Sequence, residues 1–150
     1  QMCIRDSSKH RYGMAADWRM VDRSINPVAL GIIAAQYFKA VGIYWYDGCA
    51  IVHTDTRDAK ATWLCDAPKH YPSTTYQKFV LPTIRRGCTG DANRAATKML
   101  QRLLGLTPDG IFGEGTENAL LKAQEAHGLT VDGICGPASW KAISGASKYL

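Results

Sequence analysis

Between Ser8 and Asp17 the chain reads Ser-Lys-His-Arg-Tyr-Gly-Met-Ala-Ala-Asp, which sets an imidazole, His10, and a carboxylate, Asp17, seven positions apart. A second imidazole, His53, follows in Ile51-Val52-His53-Thr54-Asp55-Thr56. Two neutral imidazoles and one carboxylate are zinc donors, and three of them leave one corner of a tetrahedron open, the ligand count of a hydrolytic site. Each residue also has an ordinary reading. A His–Asp pair is commonly just a hydrogen-bonded pair, and a histidine on an apolar strand is commonly a satisfied core residue.

Positioning these side chains falls to the first half of the chain. Residues 15–21 are expected as a strand. Asn26-Pro27 is a helix start, with Asn as N-cap and Pro at the first helical position. The apolar residues of 28–38 run almost all round the helix, so it is expected to be buried, with Gly42 ending it. Residues 43–46 and 50–56 then read as a β-hairpin around Asp47-Gly48. Period-2 alternation puts Ile51, His53 and Asp55 on one face and Val52 and Thr54 on the other. Asp55 is therefore the preferred carboxylate beside His53 for proton transfer, with Asp47 as the other local candidate; the alternative readings of Asp55 are an outer residue that orients a ligand and a plain surface acid.

At 150 residues the chain is long enough for one medium domain or two small ones. Its net charge of +5 suits an anionic partner. The basic residues are scattered, with no helix-turn-helix or stacking platform, which argues against nucleic acid. No apolar run approaches the roughly 20 residues of a membrane-spanning helix, and no apolar secretory segment opens the chain. None of the five cysteines forms a CxxC pair, so a thiolate zinc site is not expected. Gln1–Ser7 is read as a non-native, adapter-derived tail. Prolines 68, 72 and 82 punctuate a polar stretch, and residues 67–86 are read as a linker.

The second half carries a repeat. Gly105-Leu-Thr-Pro-Asp-Gly-Ile-Phe-Gly113 returns 23 residues later as Gly128-Leu-Thr-Val-Asp-Gly-Ile-Cys-Gly136. Each copy ends one helix, makes an Asp-Gly turn and starts the next. This pattern predicts helices over 91–104, 114–127 and 137–143. Met99-Leu100-Gln101, Asp109-Gly110-Ile111-Phe112-Gly113, Thr116, Ala119-Leu120, Gln124, Gly128-Leu129, Asp132-Gly133-Ile134, Gly136 and Trp140 closely resemble the common peptidoglycan-binding domain of bacterial and phage wall hydrolases. The likeness implies a three-helix module, residues 87–147, that holds an attached enzyme on the wall. Ala123 stands where an aromatic is usual and Cys135 where valine is usual.

Ser8-x-His10-x-x-Gly13-x-Ala15-x-Asp17, followed by Val52-His53-Thr54-Asp55, resembles the zinc D-alanyl-D-alanine carboxypeptidases and their relatives that cut peptidoglycan stem peptides. That resemblance covers residues 8–66 and implies His10, Asp17 and His53 as zinc ligands. Arg57 and Trp63 fit the same branch. Many members carry a proton-transferring carboxylate three residues before the last histidine, where this chain has Ala50. Members also carry several dozen residues upstream, including a substrate-binding arginine, so the peptidase half is expected to be partial. Together the two resemblances imply an α+β fold: a small antiparallel sheet with helices, then an all-α module. They imply a monomeric, zinc-dependent wall peptidase that acts at the bacterial wall or outside the cell, or a phage endolysin released at lysis. The alternative is a non-catalytic wall-binding protein with a degenerate peptidase half.

Overall fold

A computed structural model describes residues 10, 13–21, 25–74 and 80–150. The expected tail, Gln1–Ser7, lies outside the described residues. The fold is α+β. Five strands, β1 (Ala15–Trp18), β2 (Ala40–Tyr46), β3 (Cys49–Asp55), β4 (Ala61–Cys65) and β5 (Ser73–Thr74), form one sheet in the order β1-β3-β2-β4-β5. Helix α1 (Pro27–Ala34) packs on it, and α2 (Asp91–Leu103), α3 (Glu114–Ala126) and α4 (Pro137–Ser144) follow.

The sheet is mixed rather than antiparallel. β1 and β2 both pair antiparallel with β3, but β4 runs parallel to β2. The cause is topological: β1 covers one edge of β3 and β2 the other. The chain leaving Asp55 therefore crosses to the free edge of β2, where Ala61 pairs beside Ala40. Residues 67–86, expected as a linker, contain β5, which pairs with β4, and Val80, Leu81 and Ile84, which are buried in the core.

Helix α1 begins as its sequence implies: Asn26 accepts a hydrogen bond from the Ala29 amide at 2.9 Å, with Pro27 at the first position. It stops at Ala34, well before Gly42, because residues from Ala40 onward are drawn into pairing with β3 and β4. Gly42 lies inside β2, beneath the Trp63 indole. A Cβ there would collide with that ring, so close approach explains the glycine.

In the helical half, two buried glutamines each clasp one Asp-Gly turn. Gln101 donates to Asp109 Oδ1 at 2.7 Å and to Thr116 Oγ1 at 3.0 Å, and accepts from the Gly110 amide at 2.9 Å. Gln124 repeats the clasp with Asp132 at 2.9 Å, Ser139 at 3.2 Å and the Gly133 amide at 3.0 Å. Gly110 and Gly133 sit at φ of 79° and 69°, the left-handed region these turns require. Removing the Gln124 amide strands several buried partners at once. Gln124→Ala is therefore expected to lower unfolding free energy by about 2 kcal/mol or more, checked by denaturant titration.

The two halves share one hydrophobic core, in which Val28, Ile32, Ile43 and Leu64 join Met99, Leu100, Leu120 and Trp140. Polar ties cross it too. Asn26 Nδ2 donates to the Ser144 carbonyl at 2.9 Å, and Lys98 Nζ meets Asp66 Oδ2 at 2.8 Å.

Candidate metal centre

Cross-strand register assembles the site. Asp17 on β1 stands directly opposite His53 on β3, so both side chains leave the same face of the sheet. His10 approaches from the segment before β1. His53 Nδ1 lies 2.8 Å from Asp17 Oδ1 and 3.1 Å from His10 Nε2, and His10 Nε2 lies 3.5 Å from Asp17 Oδ1. Donors at 2.0–2.1 Å around a tetrahedral ion are about 3.3 Å apart. The three distances bracket that value, so the donor set fits zinc in both chemistry and spacing. Partial exposure of His10 (29%) and Asp17 (34%) leaves an approach from solvent.

Asp55 lies behind His53, away from the three donors. Its Oδ2 is 3.3 Å from His53 Nε2, and its side chain is fully buried. Arg57 donates to it through the backbone amide at 3.0 Å and through Nε at 2.8 Å to Oδ1, and its Nη2 reaches Oδ2. In the tautomer that carries its proton on Nε2, toward Asp55, Nδ1 would keep its lone pair for the face shared with Asp17, the arrangement by which an outer carboxylate orients a metal-binding imidazole. The expectation of Asp55 as a proton carrier meets a carboxylate sealed from solvent with both oxygens engaged. Asp47, the other candidate, sits at the hairpin turn, paired with Arg102 at 3.1 Å. Ala50 pairs with Trp45 and has the opposite parity to His53, so it lies on the other face of β3.

Burial alone would raise the Asp55 carboxyl, but hydrogen bonds from Arg57 and His53 outweigh it and hold the pKa at about 2. A depressed carboxylate contributes stability above its ordinary pKa, near 3.8, and loses that contribution as pH falls toward 2. Acid unfolding of the wild type should therefore show a component in this window that Asp55→Asn lacks, read by circular dichroism against pH.

Two aromatic neighbours complete the face. Trp63, on β4, packs against His53 with ring centroids 5.3 Å apart, lies under the Arg57 guanidinium at 5.5 Å, and donates Nε1–H to Tyr44 Oη at 3.0 Å. Burial pushes the Tyr44 hydroxyl up to about 12, so it stays protonated at neutral pH. Tyr44 and Tyr71 meet edge to face at 5.9 Å. Tyr44 does not stand out in the sequence, because its place on the face of His53 and its bond to Trp63 depend on the pairing of β2 with both β3 and β4. The signal available was parity along residues 42–46 once β2 is aligned with β3.

Among the described residues no helix is long and apolar enough to cross a membrane. Cys135, at the position where valine is usual, is fully buried and pairs through its backbone with Ile84, filling an apolar site. No curated protein and no solved structure matches the chain. Residues 89–143 do match the family model of the putative peptidoglycan binding domain, and this similarity supports association with the cell wall, with peptidoglycan as the partner of the helical module.

Proposed function

We propose that the chain is a zinc-dependent peptidase of peptidoglycan stem peptides, held on its substrate by the helical module. One observation carries the reading: two imidazole nitrogens and a carboxylate oxygen, from residues 10, 17 and 53, lie 2.8–3.5 Å from one another. Zinc supplies Lewis acidity, polarising an amide carbonyl and lowering the pKa of water toward roughly 7. The protein's own residues do the positioning. His10, Asp17 and His53 hold the ion; Asp55 fixes the tautomer and tilt of His53; Arg57 fixes Asp55; Trp63 walls one side of the imidazole. Asp55 is thus a positioning residue in this reading. The wall module raises the local concentration of cleavable peptide without adding chemistry.

A second reading, a wall-binding protein without catalysis, is favoured by the engagement of Asp55 and by Ala50. Purified walls separate the two. Zinc-loaded protein should release new amino termini, detected by mass spectrometry of the soluble fragments, and chelator should stop it. Sedimentation with walls, stoichiometric zinc and no new termini would leave binding alone.

A further inference from the structure

A cleft of about 580 Å³ opens on the far side of the sheet from His53. Trp18 pairs with Val52 and donates Nε1–H to Thr54 Oγ1 at 2.7 Å; Trp45 pairs with Ala50. By strand alternation both indoles leave the face opposite His53 and Asp17. The start of α1, with Ile25 and Leu30, closes one wall, and Arg102 reaches in from α2. The volume lies in the range of small-molecule sites, which pair apolar walls with a few fixed polar groups.

Three features point to what would fill it. Trp18 is 47% exposed, presenting indole surface at the mouth. The charged groups lining the cleft are Arg19, Arg102 and Asp47, a net positive set. Arg102 is anchored by Nη2 to Asp47 Oδ1 at 3.1 Å, while its Nε is buried with no hydrogen-bond partner. The buried Nε is sealed from the cleft, but the Arg102 side chain is 22% exposed, so a carboxylate in the cleft would meet its terminal guanidinium nitrogens in charge-assisted hydrogen bonds. An indole face packs well on the C–H face of a pyranose ring.

We propose that this cleft is a second ligand site that takes a carboxylate-bearing amino sugar, its ring against Trp18 and Trp45 and its carboxylate on Arg102. The choice of sugar rests on the wall association of residues 89–143 and is independent of zinc chemistry. A wall sugar seated here would orient the glycan strand relative to the metal centre across the sheet.

The probe is N-acetylmuramic acid, titrated into the full chain with chelator present and followed by amide chemical shifts and tryptophan fluorescence. The expected result is saturable binding with shifts at residues 18–19, 45–50 and 102. N-acetylglucosamine, which has the ring but no carboxylate, should bind at least about tenfold more weakly, as loss of a charge-assisted hydrogen bond implies. Arg102→Gln should erase that preference, and Trp18→Phe should weaken both sugars. Asp47→Asn, which leaves the guanidinium charged and changes an exposed side chain, should retain or tighten binding of the acid. The proposal is overturned by equal affinity for the two sugars, by shifts confined to the His53 face or the Asp-Gly turns, or by no saturation with a folded protein. Sedimentation with whole walls, run in parallel, keeps the cases apart. Arg102→Gln protein that still pellets while losing N-acetylmuramate supports the second site, and wild type that fails to pellet overturns wall association itself.

Discussion

Replacing His53 with alanine is expected to abolish zinc loading of the full chain, whereas Asp55→Asn should weaken it only about 10–100-fold. The difference follows from position. His53 Nδ1 is the donor nearest both partners, 2.8 Å from Asp17 Oδ1 and 3.1 Å from His10 Nε2, so its loss leaves two donors on a partly exposed face. Asp55 touches only the far nitrogen of the ring, and its removal frees the tautomer and tilt without removing a ligand. Competition against a chromophoric chelator measures both affinities, and wall digestion should fall in the same order. Equal zinc affinity in His53→Ala and wild type would place the metal elsewhere and leave only the adhesive role. A folded Asp55→Asn that binds zinc as wild type yet digests nothing would return Asp55 to proton transfer.

The second large effect is on stability. Trp140 is fully buried, packs in the core common to both halves, and donates Nε1–H to the Pro82 carbonyl at 2.9 Å. Trp140→Ala removes the largest fully buried side chain and strands that carbonyl, which should cost about 3–5 kcal/mol. Because the core is continuous from α1 to α4, the loss is expected to lower one cooperative transition. Thermal unfolding followed separately by far-ultraviolet circular dichroism and by zinc retention tests this. Coincident midpoints support a single unit, and a sheet that still retains bound zinc after the helices melt would contradict it.

The helices around the Asp-Gly repeat were legible almost to the residue, because glycine at positive φ and a fixed spacing to a buried glutamine are local constraints. The expected 91–104, 114–127 and 137–143 compare with Asp91–Leu103, Glu114–Ala126 and Pro137–Ser144. The hairpin around Asp47-Gly48 and the Asn26 cap were legible for the same reason. The end of α1 was not: Gly42 looks like a helix stop in the chain but serves a strand, its missing side chain making room for Trp63. Nor was β4, whose parallel pairing depends on which edge of β2 remains free after β3 has formed.

For the candidate site, donor types and the shared face of His53 and Asp55 follow from sequence, since both rest on residue identity and the two-residue period of a strand. The tertiary structure alone decided that Asp17 stands opposite His53, that His10 closes the third edge, and that Asp55 is bound to Arg57 rather than open to solvent. It alone, too, put the Arg102 guanidinium beside two indoles on the far face. Those are distances between residues remote in the chain, and they exist only once non-local pairing has chosen register and strand order.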